Sequence, residues 1–156
     1  MAYFKDFTVC EYFQPCDEWL FRPIAIGWIE RGKPYTRGEN PPEIFTKLDN
    51  LRKESIASLH TTFRGLHCCS ICERAEPLEC SHVNLFIPHE GMVFLAPGRI
   101  DHFMEQHQYA PPESFVLAVM QCPLPGTEAY REKIRIANRG VDASSLFRGF
   151  YGRVHG

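Results

Sequence analysis

The chain has 156 residues, of which 44% are hydrophobic and 23% charged, values that fit one globular domain with a buried core and exclude a disordered or fibrous protein. Its net charge of −2 gives no general attraction to nucleic acid, so any such contact would have to be local. Acidic residues interrupt the N-terminal stretch and no window approaches the roughly 18 apolar residues of a membrane span, so we expect a cytoplasmic protein without a membrane partner.

The first predicted elements are a strand and a helix. Apolar residues alternate between two faces over residues 23–30, which predicts a strand. Pro41-Pro42-Glu43 is a helix-start signature, because proline has no amide hydrogen to leave unpaired there and glutamate complements the helix dipole. Apolar residues then recur at helical spacing, so a helix is predicted over about 42–58.

A hairpin and two further helices are predicted in the middle of the chain. Residues 82–87 and 92–96 form the strands of the hairpin, with Pro-His-Glu-Gly as its turn. Residues 99–109 follow as a short helix that ends before Pro111. A second Pro-Pro-Glu start at 111–113 then opens a helix that Pro123 ends.

The C-terminal part predicts a helix at 127–138 and a glycine-containing tail. We therefore expect one α+β domain over residues 1–138 and a tail over residues 139–156. Aromatic residues in this tail either pack on the domain or contact a partner, and periodicity does not decide between these two roles.

Residues 65–82 gather four cysteines and two histidines. The chain has seven cysteines, an odd number, and no predicted export signal, so we expect reduced thiols and favour metal binding over a disulfide framework. Cys69 and Cys72 have the Cys-x2-Cys spacing that gives zinc two thiolates from one tight turn.

A second pair of candidate ligands lies in the short helix predicted at 99–109. The two histidines are His102 and His107. Positions five apart do not share a helix face, so His107 is expected at a distorted final turn of the helix. The order of knuckle, hairpin and helix is that of a small, treble-clef-like zinc-stapled domain with flanking helices. The predicted Zn²⁺ ligands are two thiolates and two imidazoles: Cys69, Cys72, His102 and His107.

Two alternatives to this ligand set stay open. Cys80 or His82 could replace one of the four ligands, or the chain could hold no metal. A thioredoxin-like redox pair is disfavoured, because the motif should open a helix whereas a hairpin follows it here.

Four protein ligands leave no position for an activated water, so a structural ion is expected rather than a catalytic one. Glu105 stands between the two histidines, but its spacing is not that of a metalloprotease motif.

The segment "CSICERAEPLECSHV" resembles the opening of the HNH nucleases, a treble-clef-like family. The resemblance implies His82 as a general base and Cys69 and Cys72 as ligands of a structural zinc. It fails further on, because no asparagine stands near the end of the second hairpin strand, where the sequence is "FLAPGR".

Three other segments carry a closer resemblance: "GWIERGKPYTRGENPPEIFTKL", "RGLHCCSIC" and "IDHFMEQHQYAPPESFVLAV". They are similar to an uncharacterised bacterial, largely actinobacterial, domain family with a Gly-x-His-x-Cys-x2-Cys and His-x4-His pattern. The resemblance covers residues 27–119 and implies that the four predicted ligands are shared, with His67 as a further candidate. It implies no activity.

These observations favour a non-enzymatic zinc-binding protein with a structural Cys2His2 site. We expect a protein-interaction or accessory role, with immunity or defence as one setting, and another protein as the partner. The alternative is an HNH-like metal-dependent nuclease or a nucleic-acid-binding module, for which the mildly basic segment after Gly126 is the candidate contact.

Overall fold

The computed structural model describes residues 3–10, 19–60, 62–72 and 80–148, with the backbone alone for residues 62–66 and 80. Within these residues the fold is α+β, with four α-helices and a curled, mixed sheet of four strands. The strands are β1 (Ile24–Ala25), β2 (Thr62–Cys68), β3 (Cys80–His89) and β4 (Met92–Pro97). The helices are α1 (Glu43–Ser58), α2 (Ile100–Gln106), α3 (Glu113–Gln121) and α4 (Glu128–Ala137).

The sheet has the strand order β1-β4-β3-β2. Strands β3 and β4 form the predicted antiparallel hairpin, with Phe86 opposite Leu95. The hairpin is longer than predicted, because its turn is only Glu90–Gly91, both with positive φ as in the two-residue turns that match strand twist. Pro88 is accommodated within β3 since β2 pairs only with the first part of that strand.

The strand predicted at residues 23–30 is much shorter in the structure. Only Ile24 and Ala25 pair with β4, and they do so in parallel. Gly27 then takes a φ of +82°, and its amide donates a hydrogen bond to Oδ1 of Asp6 at 3.0 Å instead of continuing the ladder. A side chain from a distant part of the chain therefore ends the strand.

The predicted helices are confirmed as α1, α2, α3 and α4. Helix α1 begins at Glu43 directly after the two prolines, and α3 ends at Gln121 before Pro123. Thr127 caps α4, because its hydroxyl accepts a hydrogen bond from the amide of Tyr130 at 3.2 Å. The buried hydroxyl of Tyr130 in turn donates to the carbonyl of Phe86 at 2.7 Å, which fixes α4 on the sheet.

Residues that follow α4 pack against the rest of the domain. Leu146 and Phe147 are buried, and Arg131 stacks over the ring of Phe147 at 4.6 Å. The indole of Trp19 donates to the hydroxyl of Ser145 at 2.9 Å. The division at residue 138 stays a prediction, and Phe150 and Tyr151 lie outside the described residues.

Among the described residues, no helix combines the length and the apolar character that crossing a bilayer requires.

Replacing Gly27 by alanine is expected to lower the free energy of unfolding by about 2 kcal/mol. Its φ of +82° disfavours any side chain, and the new Cβ would lie 2.8 Å from Cγ1 of Ile100. Gly32→Ala is the matched control, because Gly32 has a φ of +81° and nothing within 4 Å. Urea denaturation should show a loss of only about 1 kcal/mol for that control. Equal losses in both variants would contradict a packing role for Gly27.

Candidate metal centre

Four side chains from two distant parts of the chain meet at one end of the sheet. They are the four residues singled out in the sequence, namely Cys69, Cys72, His102 and His107. One donor atom from each lies within 4.8 Å of the donor atoms of the other three. Sγ of Cys72 is 3.2 Å from Nε2 of His102 and 3.3 Å from Nε2 of His107. Sγ of Cys69 is also 3.3 Å from Nε2 of His107.

The two cysteines stand on a tight turn directly after β2. The amide of Cys72 donates a hydrogen bond to Sγ of Cys69 at 3.4 Å, which turns both sulfurs toward the same side. The two residues between them are held by Arg31. Its amide donates to the hydroxyl of Ser70 at 2.9 Å, and its guanidinium donates to the carbonyl of Ile71 at 3.2 Å. The segment after β1 thus fixes the shape of the turn.

The two histidines come from α2 and from the residue that follows it. His102 is buried within the helix, whereas His107 is its C-cap, with φ −120° and ψ 10°. The expectation that the second histidine lies where the helix ends is therefore confirmed. Because the backbone leaves the helical path there, the two rings approach to 5.1 Å between centroids.

Contacts at both ends of α2 fix the positions of the histidines. Arg52 of α1 donates to the carboxylate of Asp101 at 3.1 Å and to the carbonyl of Gly98 at 3.3 Å. At the other end, the hydroxyl of Tyr35 donates to the carbonyl of His107 at 3.0 Å. The cluster is therefore supported by residues of α1 and of the segment between β1 and α1.

The dimensions of the cluster suit a single metal ion. Bonds of about 2.3 Å to sulfur and about 2.0 Å to nitrogen in a tetrahedron separate a sulfur from a nitrogen by about 3.5 Å. Three of the four sulfur–nitrogen separations in the cluster are 3.2 to 3.3 Å, and the fourth is within 4.8 Å. Two thiols and two imidazoles at these distances form a Cys2His2 group that could hold a metal ion.

Other candidates from the sequence lie outside this group. His82 is exposed, as is Glu105, and neither belongs to the described cluster. Cys80 is described by its backbone alone, which pairs with Cys68 in the β2–β3 ladder. The arrangement therefore offers no support for His82 as a replacement ligand or for Glu105 as a metalloprotease base.

His67, the further residue of the resemblance, is part of the hydrophobic surroundings of the cluster. Its ring packs edge-on against Trp28 at 5.0 Å and Phe103 at 5.9 Å. Nε2 of His67 is buried and has no hydrogen-bond partner among the described residues. Burial, with a smaller contribution from the charge of the N-terminus, lowers the pKa of His67 to about 4, so the ring is neutral near pH 7.

Cys68 is disulfide-bonded, so the expectation of reduced thiols is wrong at this position. The disulfide also removes Cys68 from competition with its neighbour Cys69 for a metal. In the β2–β3 ladder the backbone of Cys68 lies opposite that of Cys80.

Cys10 and Cys122 are buried and are expected to react slowly with alkylating reagents. Burial raises the pKa of Cys10 to about 11 and that of Cys122 to about 12. At pH 8 the thiolate fraction is then on the order of 100-fold or more below that of an exposed cysteine. Iodoacetamide labelling of the folded protein can be followed by peptide mass spectrometry. Cys10 and Cys122 should be labelled much more slowly than the free thiol of glutathione under the same conditions. Labelling of either residue at the glutathione rate before urea is added would contradict it.

Comparison with known proteins adds a family but no function. A family model described as "Domain of unknown function (DUF7919)" matches residues 2–120. No curated protein and no solved structure matches the chain. The matched residues include all four residues of the cluster. They also include residues 27–119, over which the sequence resembles the uncharacterised bacterial family described above. Helix α4 lies outside the matched residues.

Proposed function

This chain belongs to the DUF7919 family, and from its Cys2His2 cluster we propose that it is a non-enzymatic zinc-binding protein whose ion is structural. The observation that carries the proposal is the convergence of four donor atoms within 4.8 Å of one another. Their segments are far apart in sequence, since Cys72 and His102 are separated by 30 residues. An ion at this point would join the turn after β2 to the end of α2.

The donor set favours zinc over other biological metals. Thiolates and imidazoles suit zinc, whereas magnesium and calcium take oxygen ligands. A [2Fe–2S] cluster with the same four ligand types would place the thiolates on one iron and the imidazoles on the other. Here Cys72 lies at 3.2 and 3.3 Å from the two imidazoles, which fits one shared ion better than two.

The complete set of protein donors favours a structural ion over a catalytic one. A catalytic zinc keeps one position open for water or substrate, whereas four protein ligands fill a tetrahedron. The nuclease alternative has less support, because its proposed base, His82, is exposed and stands outside the cluster. We interpret the turn, the β3–β4 hairpin and α2 as a treble-clef-like unit. Its ion would contribute on the order of 10 kcal/mol of apparent binding free energy to folding.

We further propose that the protein acts as an interaction or accessory module for another protein. A net charge of −2 gives little attraction to nucleic acid. Large apolar side chains such as Leu20, Met92 and Ile136 are exposed. Exposed apolar residues that lie together are typical of protein-binding surfaces.

Metal analysis of the purified protein is expected to find about one zinc per chain. Cys72→Ser and His102→Ala should each lose the metal and much of the folding stability, because each removes one of the four donors. Cys122→Ala is the matched control, since Cys122 is a buried cysteine outside the cluster and its loss should leave the zinc content unchanged.

Removal of zinc by a strong chelator should unfold the wild-type protein, as followed by circular dichroism. An intact fold after complete removal would refute the structural role. A substoichiometric zinc content that does not change in the Cys72 and His102 variants would refute the site itself.

Tyr35→Phe tests whether the support around the cluster matters for holding the ion. The variant loses the hydrogen bond from the Tyr35 hydroxyl to the carbonyl of His107, worth about 1 kcal/mol. Zinc transfer to a colorimetric chelator should therefore become about fivefold faster. Tyr130→Phe is the control, because it also removes a hydroxyl that donates to a backbone carbonyl, that of Phe86, away from the cluster.

The control should lose folding stability and keep the wild-type rate of zinc transfer. If both tyrosine variants accelerate the transfer equally, the effect reports global destabilisation and the Tyr35 contact has no specific part in holding the ion.

A further inference from the structure

The domain has a groove with a volume of about 390 Å³, and no residue of the metal cluster lines it. We call it the α4 groove. Three segments form it: the residues before β1, the start of β4 and the C-terminal end of α4. Phe21, Val93 and Ala137 are buried lining residues and give the groove an apolar floor.

Three large apolar side chains that line the α4 groove are partly exposed to solvent. Leu20 is 40% exposed, Met92 39% and Ile136 57%. All three line the groove, although they come from three different segments. Large side chains that gather in one concave place while facing water are typical of a binding surface rather than of isolated surface residues.

The charged side chains that line the α4 groove, among the residues that the structure describes, are both basic. They are Arg22 and Arg139, and no described aspartate or glutamate lines the groove. Arg139 is exposed and its guanidinium has no ion pair among the described residues. A carboxylate bound there would gain a charge-assisted hydrogen bond without displacing such a pair.

The backbone at Arg139 adds a second observation. Arg139 follows the C-cap of α4 with a φ of +58°, a left-handed conformation that glycine adopts most readily. A non-glycine residue there costs about 1 kcal/mol. The chain therefore carries arginine, at some cost in stability, at a position on the rim of the groove.

We propose that the α4 groove binds an acidic segment of a partner protein that also carries apolar side chains. Its apolar residues would pack against Leu20, Met92 and Ile136, and a carboxylate would pair with Arg139. This inference rests on the proposed interaction role and names the class of partner. It does not depend on the metal, because no lining residue belongs to the cluster.

The test begins with selection of binders from a random peptide library displayed on phage, using the full-length, zinc-loaded protein. Recovered peptides are then synthesised, and their affinities are measured by fluorescence anisotropy for wild type and three variants. Arg139→Gly removes the guanidinium while relieving the backbone strain. Ile136→Glu places a negative charge on the rim. Ile56→Glu is the matched control, because Ile56 is 53% exposed near the end of α1 and does not line the groove.

The recovered peptides should be rich in aspartate, glutamate and large apolar residues. Arg139→Gly and Ile136→Glu should each weaken their binding at least about tenfold, and added salt should weaken it further. Ile56→Glu should leave the affinity unchanged. Arg139→Gly should melt at or above the wild-type temperature, so its lost binding cannot be attributed to unfolding.

Several outcomes would overturn the proposal. One is that the selection recovers no related peptides, and another is that the recovered peptides are basic. A third is that Arg139→Gly and Ile136→Glu bind the recovered peptides as tightly as the wild type does. A dimer in light scattering that Ile136→Glu dissociates would assign the groove to a second copy of the chain instead. Zinc content measured on the same samples separates these results from failure of the metal site.

Discussion

Two sulfurs and two imidazole nitrogens lie within 4.8 Å of one another although 30 residues separate Cys72 from His102. Holding such distant segments together has an entropic cost, and two thiolates this close would repel each other without a cation. The two halves of the cluster also meet through the segment between β1 and α1, where Arg31 holds the cysteine turn and Tyr35 holds the end of α2. This one meeting point therefore determines how that half of the domain is arranged.

The remainder of the fold is held by apolar packing of a different kind. Helices α1, α3 and α4 pack against the β3–β4 hairpin, whose side chains are almost wholly buried. Arg52 connects this part to the cluster, because it reaches from α1 to Asp101 at the start of α2. The α4 groove and the cluster have no described residue in common.

The features predicted correctly from the sequence are those with local causes. Proline-initiated helices and the Cys-x2-Cys turn depend on residues that are neighbours in the chain, so α1, α3 and the cysteine turn were recognisable. Strand β2 and the parallel pairing of β1 with β4 depend on partners elsewhere and were missed. The early end of β1 has the same cause, because the amide of Gly27 bonds to the side chain of Asp6.

Among the described residues, the later part of β3 has a strand neighbour on one side only, since β2 pairs with residues up to Val83. An uncovered row of backbone groups invites intermolecular strand addition and aggregation. Here Pro88 has no amide hydrogen that could bond to an added strand. The hydroxyl of Tyr130 already donates a hydrogen bond to the carbonyl of Phe86. Helix α4 lies beyond residues 2–120, which the family model matches, and through Tyr130 it contacts this edge. A segment outside the matched residues thus takes up a backbone group that an added strand would otherwise use.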